Sequence, residues 1–370
     1  MKNGSLYERS ATKQNYDNRT NYINSEVAKD MKVAIHHREG SFSDRWIAYC
    51  EKKAIPYVLV NSFESDFIQQ IKDCDVFLWH HHHANFKDVI TAKRILFALE
   101  HAGIKVFPDF NSSWHFDDKV AQKYLLEAVD APLVPSYVFY NKREALDWAT
   151  STNYPKVFKL KGGAGSANVK LVRTKNDAFK LIIKAFDRGF PQFDRLETLK
   201  ERFRKFRAGQ ESIVGVIRGL GRLFIATDFS KQQPPEKGYV YFQDFVANND
   251  SDIRVVVIGN KAFAIKRLVR KNDFRASGSG NLIYDDAAID TRCVEVAFET
   301  NRKLDAECLA YDFVFNIDNE PMIVEISYGF AVESYDPCPG YWDNELNWNQ
   351  GQFNPQEWMI DDLFRAGSNG

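Results

Sequence analysis

Two carboxylates near the end of the chain have the types and the spacing to do chemistry. Residues 309–315 (LAYDFVF) and 322–327 (MIVEIS) are apolar runs around a turn-rich NIDNEP at 316–321, the pattern of a β-hairpin. A turn centred between Asp318 and Asn319 sets Val314 opposite Ile323 and Asp312 opposite Glu325. Two carboxylates opposed across a sheet among apolar neighbours repel each other. A bound cation or a shared proton relieves that repulsion. So does an Arg or Lys from another element, or plain exposure of that sheet face. As metal ligands the pair would be hard oxygen donors, suited to Mg²⁺ beside substrate phosphates.

A second constellation is KLKGGAGSANV at 159–169. Small residues between two strands let backbone N–H groups approach an anion, and Lys159 at the entrance adds fixed positive charge. It is not a Walker A loop, because no G-x-x-x-x-G-K-[ST] is present and a strand follows instead of a helix. A Gly-rich hairpin with no ligand is the plain alternative. A third is YVYFQDFVANNDSD at 239–252. A strand ending in an apolar pair and then a polar connection can offer backbone groups to a flat base, and the acid after it can hold a ribose. An ordinary strand end has the same appearance.

The elements that must position these groups follow from periodicity. Strands at 32–37, 56–60, 75–79 and 104–107 alternate with helices at 43–53, 67–71 and 87–101, with Ser43 or Asp44 as the first cap. Repeated β-α-β units predict a parallel, doubly wound sheet. No G-x-G-x-x-G follows the first strand, so a dinucleotide site is not indicated. After Pro108 the pattern changes. Helices are expected at 118–129, 142–149 and beyond 177, and strands at 136–140, 156–161, 169–172, 239–246, 253–258 and 262–269. Residues 195–207 put Leu196, Leu199, Phe203 and Phe206 on one helical face and Arg and Lys on the other.

The order of these motifs resembles the ATP-grasp superfamily. Lys159 with the 162–169 turn, the hinge Gln243-Asp-Phe-Val246, Asp252-Ile-Arg254, Lys266-Arg267, Asp273-Phe-Arg275, Asp312 and Glu325-Ile-Ser327 run in that family's order. The likeness is greatest to amino-acid ligases such as the ribosomal-protein glutamate ligases and the lysine-biosynthesis carrier-protein ligases, and it spans residues 31–330. It implies an α/β chain, α+β in its ATP-grasp part, with a Rossmann-like preATP-grasp domain at 31–117. Two ATP-grasp subdomains would follow at 118–245 and 246–335, flanked by a polar extension at 1–30 and an aromatic tail at 336–370.

By position, the resemblance implies that Lys119 (in Asp117-Asp-Lys119), Lys159 and Lys161 bind ATP phosphates with Gly163, Gly165 and Ser166 of the turn. Backbone groups of the Gln243, Asp244, Phe245 and Val246 hinge would read adenine, and Asp252 would hold the ribose. Arg267, with Arg254 and Arg275, would stabilise the transferring γ-phosphoryl and an acylphosphate. Asp312, Glu325 and Ser327 would hold two Mg²⁺ ions, with Mn²⁺ able to substitute. Serine stands where the family usually has the Asn of Glu-x-Asn, and Arg275-Ala-Ser277 replaces Arg-x-Asn. Both departures bear on substrate class more than on ATP binding.

The implied activity is ADP-forming ligation of a carboxylate to an amine. An ATP-grasp kinase and a non-catalytic ATP-binding regulator are the rival classes. Composition narrows the field further. The chain of 370 residues carries 49 Lys+Arg against 50 Asp+Glu, which argues against nucleic acid as the main partner. No apolar run reaches membrane-spanning length, and five cysteines without a CxxC pair suit reduced thiols. A cytoplasmic protein acting on small molecules is expected, with homo-oligomerisation left open. His80–His83 follow a strand end, where a parallel sheet places its crevice. Consecutive side chains cannot all face one point, so one or two are expected to line the cleft with His36 or His37. The tail from Tyr328, with Trp342, Trp348 and Trp358, is either packing over the core or a substrate wall suited to a sugar acid or glycan precursor. The basic face at 195–207 is read as a solvated surface or a contact for an anionic partner.

Overall fold

The computed structural model describes residues 31–162, 169–191, 235–270, 275–276, 278 and 280–365. The extension at 1–30, the basic helix at 195–207 and the turn residues Gly163, Gly165 and Ser166 lie outside the described residues.

The first unit is a parallel sheet in the order β2-β1-β3-β4, made of β1 (Val33–His36), β2 (Tyr57–Val60), β3 (Val76–Trp79) and β4 (Lys105–Phe107). Every residue of β1 and β3 is buried, as expected of central parallel strands covered on both faces. Helices α1 (Phe42–Lys53) and α2 (Phe86–His101) supply that cover. Ser41, not Ser43 or Asp44, caps α1: its hydroxyl accepts the Ser43 N–H at 3.2 Å, while Asp44 turns back to accept the Gly40 N–H.

The second unit runs through α3 (Lys119–Ala128), β5 (Ser136–Phe139), α4 (Lys142–Ser151), β6 (Lys156–Lys159), β7 (Val169–Val172), α5 (Lys175–Phe186) and β8 (Val240–Asp244). Its sheet is antiparallel in the order β5-β8-β6-β7. Alanines 145, 149, 178 and 185 let α4 and α5 sit close on Phe158, Val172 and Phe242, forming a core of their own.

The third unit contains β9 (Ser251–Ile258), β10 (Lys261–Leu268), β11 (Leu282–Ile283), α6 (Thr291–Leu304), β12 (Cys308–Phe315), β13 (Pro321–Ser327), β14 (Gly340–Asp343), β15 (Trp348–Gln350) and α7 (Pro355–Arg365). The sheet order is β13-β12-β9-β10-β14-β15, with β11 also paired to β10. One face of the first sheet shares its apolar core with this one: Val33, Ile35, Phe42 and Trp46 cluster with Val255, Val257, Tyr311 and Met359. The first and third units are therefore joined through one core, and the second closes over the joint.

Residues 336–365 are packed onto the third unit and the first. Trp342 pairs opposite Ala262 of β10. Phe353 and Trp358 stack at 4.9 Å and pack against Phe263. Tyr49 of α1 donates to Asp361 of α7 at 2.6 Å. The three tail tryptophans cover the outer side of the third unit and do not line the cleft described below. Only the segment leading into the tail, through Val332, reaches it.

The hairpin departs from expectation by a bulge. Phe315 faces Pro321, Val314 faces Met322, Phe313 faces Ile323, and Asp312 faces Glu325. Val314 therefore does not pair with Ile323. The extra residue, Val324, shifts the register by one position and so brings Asp312 opposite Glu325.

Candidate functional site

The edges of the second and third sheets and the ends of β1 and β3 enclose a cleft of about 480 Å³. From the second unit come Lys119, Lys159 and the hinge Gln243–Val246. The third unit gives Asp252, Arg254, Arg275, Asp312, Glu325 and Ser327. Lys161 is the exception among the expected lysines. Its side chain is exposed and outside the lining, and its backbone does the work.

The lysines are set by backbone and side-chain ties. The Asp118 carboxylate caps α3 through the Ala121 N–H at 3.0 Å, and the Lys119 N–H donates to the Lys161 carbonyl at 3.0 Å. The start of α3 is thereby stitched to the end of β6. From α2, Lys93 Nζ donates to the carbonyls of Trp114 and Phe116 at 2.7 and 3.1 Å, fixing the segment that leads to Lys119. Lys159 Nζ donates to Gln243 Oε1 at 2.6 Å. Gln243 Nε2 in turn reaches Ser136 Oγ at 3.1 Å and the carbonyl of the bulged Val324 at 3.3 Å. Gln243 is therefore a brace between Lys159 and the β12–β13 hairpin. Burial pulls the Lys159 ammonium down to about 8; Glu325 and Asp312 act upward and Lys119 downward.

On the opposite side, register places charges together. Arg254 sits across from Asp312 in the β9–β12 ladder, and Arg267 across from Asp252 in the β9–β10 ladder. Arg254 holds Asp312 through Nε–Oδ1 at 2.5 Å and Nη2–Oδ2 at 2.9 Å. Arg267 holds Asp252 at 2.6 and 2.7 Å and also reaches Asp312 Oδ2 at 2.8 Å. Burial would raise Asp312, but Arg254 and then Arg267 outweigh it and hold the carboxyl at about 2. Asp252 goes the other way: burial exceeds the pull of Arg267, whose charge is shared with Asp312.

This arrangement changes the use of one expected residue. Arg267 takes one lone-pair site on each Asp252 oxygen, which leaves the other site on each for a ligand in the cleft that Asp252 lines. Arg267 itself lies behind the lining, 5 % exposed, so it acts on the cleft through Asp252 and Asp312. Arg254 and Arg275 are the cleft-lining arginines of the third unit.

The opposed carboxylates are thus unequal. Asp312 has its arginine partners, whereas Glu325 makes no hydrogen bond or ion pair among the described residues and faces the cleft. A carboxylate has about four lone-pair sites. Arg254 and Arg267 use both sites on Asp312 Oδ2 and one on Oδ1, which leaves one on Oδ1. Glu325 with Asp312 Oδ1 fits a divalent cation that keeps waters and phosphate oxygens as its other ligands. Ser327 is a weaker contributor, since its hydroxyl donates to the Gly329 carbonyl at 3.0 Å.

The hinge is held rather than loose. The Asp244 N–H donates to the Pro135 carbonyl at 2.8 Å, and its carboxylate pairs with Lys156 Nζ at 2.5 Å. Asn249 pins the following loop to β12, exchanging hydrogen bonds with Phe315 N and O at 2.8 and 3.0 Å. With its own N–H committed, Asp244 can meet a base only through its carbonyl.

Sequence reasoning missed Arg38, Gln122 and Asn249 in this cleft. Arg38 follows β1 as the histidines follow β3, so the strand-end rule applied to one covers the other. Gln122 stands one helical turn after Lys119, and its Oε1 accepts the Ile326 N–H at 3.4 Å. Among the histidines, His80, His82 and His83 line the cleft and His81 turns into the core against Tyr328. His36 is buried on Ser62, and His37 lies outside the cleft on Ser43.

Known proteins share this architecture. Residues 230–336 match the model of the RimK-like ATP-grasp domain. Similar solved structures include a biotin carboxylase from Campylobacter jejuni (TM-score 0.54, 14 % identity, 90 % of this chain and 70 % of that one). A RimK domain ATP-grasp protein from Sphaerobacter thermophilus is similar over 90 % of this chain and 98 % of its own, with TM-score 0.52 and 15 % identity. The chain has the ATP-grasp fold. A further likeness is to an N5-carboxyaminoimidazole synthase from Aspergillus clavatus, solved with ADP and its ribonucleotide (TM-score 0.53, 11 % identity, 91 % of this chain and 77 % of that one). No curated protein matches the chain. Within the ATP-grasp frame, the parallel first sheet is the Rossmann-like unit, and the antiparallel second and third sheets are the two halves of the clasp. Among the described residues no helix is long and apolar enough to cross a membrane.

Proposed function

We propose that this ATP-grasp chain is an ADP-forming carboxylate–amine ligase. The observation that carries the reading is the convergence of two buried lysines, two arginines and two opposed carboxylates on one cleft beside a pinned hinge. In the reaction, a substrate carboxylate oxygen attacks the γ-phosphorus of ATP, ADP leaves, and an amine displaces phosphate from the acylphosphate to give an amide. Phosphoryl transfer asks the protein for positioning and charge neutralisation rather than a nucleophile. Lys119 and Lys159 bind the phosphates. Arg254 and Arg275 face the reacting groups, while Arg267 positions Asp312 and Asp252. Glu325 and Asp312 would hold Mg²⁺, which neutralises phosphate charge when bound. A second ion would rest on Ser327 and water, and Mn²⁺ suits the same oxygen donors.

Small-molecule acids and amines in the cytoplasm are the substrates that go with this reading. A sugar acid or glycan precursor joined to an amino acid is the finer form of this reading; the tail tryptophans stand off the cleft, and Phe330 of the same stretch lines it. Joint measurement of ADP and phosphate release across acids paired with amines tests the assignment. A ligase releases both, with a new amide in the mass spectrum. A hydroxyl kinase releases ADP alone, and that result would replace the ligase reading. ATP binding without turnover across the panel would favour a regulator.

A further inference from the structure

The cleft has a wall that the phosphate chemistry leaves unused. It is built at the carboxyl ends of the adjacent parallel strands β1 and β3, and Arg38, His80, His82 and His83 line it. The Arg38 guanidinium has five N–H donors. It makes one long hydrogen bond, Nη2 to the His80 carbonyl at 3.4 Å, and its Nε is buried without a partner. No ion pair to Arg38 is found among the described residues.

The flanking imidazoles are fixed in position and in tautomer. The Phe42 N–H donates to His80 Nδ1 at 3.1 Å, and the Ala84 N–H donates to His82 Nδ1 at 3.1 Å. A ring nitrogen that accepts from a backbone N–H carries no proton, so in each neutral ring the proton is on Nε2. Burial, helped by the neighbouring Arg38 cation, keeps His80 far below its ordinary range and His82 at about 4. His80 is clamped by stacking on Phe42 at 3.7 Å, and the His82 N–H is held by Asp88 at 2.7 Å. His80 Nε2 points to Gly329 of the facing segment.

The charges of the cleft fall into two groups. Arg38 acts on His36, His80, His82 and Asp88. Lys119 and Glu325 act on Lys159 and His83. The carboxylate that receives a phosphoryl group belongs beside the second group. An unpaired guanidinium flanked by two preset N–H donors belongs to another anion.

We infer that Arg38, with Nε2–H of His80 and His82, forms a subsite for a second anionic group, a carboxylate or a phosphate, on the acid substrate. The acid would then be dianionic, with one end anchored at the first unit and the other activated in the clasp. This inference rests on the ligase reading and specifies its substrate class.

The test pairs glutarate, glutamate and 3-phosphoglycerate with the monoanions butyrate and pentanoate. ADP release is measured with an amine panel, and binding is measured by calorimetry with the non-hydrolysable ATP analogue present. Dianions should be favoured, and Arg38→Gln should raise their KM or Kd at least tenfold with little change in kcat or in nucleotide Kd. Arg38→Lys should recover part of the loss, and thermal melting checks the fold. If Arg38→Gln fails to fold, His82→Asn gives the same readout with a smaller shift. Preference for dicarboxylates or for the phosphorylated acid identifies the source of the anion. Turnover of monoanions with KM insensitive to Arg38 overturns the subsite and leaves the ligase standing. Arg38-dependent dianion binding without any ADP release keeps the subsite and removes the ligase. Absence of both removes both.

Discussion

The two walls of the cleft handle charge in opposite ways. In the clasp, Arg254, Arg267, Asp252 and Asp312 are all paired with one another, and Gln243 ties Lys159 to the same hairpin. On the first-unit wall, Arg38 and two imidazole N–H groups are rigidly placed but largely unspent. A mutually paired network holds geometry for a fixed chemistry. An unpaired one leaves donors for a partner that arrives, which is where selectivity belongs.

The sharpest way to break this contrast is to remove one arginine from each wall. Arg267→Met leaves two buried carboxylates short of a partner and should cost about 3–5 kcal/mol of stability. Arg38→Gln removes no ion pair and should stay within about 0.5 kcal/mol of the parent. Chemical denaturation of both variants decides the matter; equal losses would mean the walls do not differ as described.

Next in size is a contrast inside the clasp. Glu325 has no protein partner, so Glu325→Gln should leave melting unchanged while lowering ADP release by about 10²–10³-fold, the scale of losing one preorganised charge contact at a reacting group. Asp312→Asn should lower both, because Arg254 and Arg267 then face a neutral amide. A Glu325→Gln protein that is both stable and active would remove Glu325 from the metal site.

How far the sequence led is visible in the same residues. The opposition of Asp312 and Glu325 followed from apolar runs and turn residues, which are local. The neighbouring register did not, because the bulge at Val324 goes with a contact to Gln243 of another sheet, which no local pattern shows. Arg254 and Arg267 were legible as charged strand residues, but their pairing depends on which strands lie side by side. The aromatic tail showed its richness and not its direction: only the pairing of Trp342 with β10 decides that its rings face the core. Arg38 was passed over because a lone arginine after a strand carries no local signal until β3 is placed next to β1.

A smaller effect separates the lysines from the arginines. Lys159 holds its proton only up to about 8 in the free protein. Nucleotide affinity should therefore be highest below that pH and fall above it, by at most about tenfold per unit. Calorimetry with an ATP analogue from pH 7 to 9.5 should show the decline, and Lys159→Met should bind at pH 7 as weakly as the parent does at the alkaline end. A flat parent profile would place Lys159 away from the phosphates.

The smallest predicted effect supplies the control for the comparison, an unpaired group that no ligand can reach. Glu307 Oε2 is buried without a partner and outside the cleft. Burial and then Asp109, Glu100 and Asp362 push its carboxyl well above the ordinary range. Between the ordinary and the raised value the folded chain keeps a proton that the unfolded chain releases, so stability falls as pH rises through that window. Glu307→Gln has no such proton to lose and puts a neutral amide among three acids. It should stabilise by about 1–2 kcal/mol at pH 7.5, with the gain vanishing near pH 4 where parent and unfolded chain are both protonated. ADP release should not change at either pH. Arg38 and Glu307 would then mark the two meanings of an unpartnered polar group: in the interior it is a cost that substitution relieves, and at the cleft it is a vacancy for substrate.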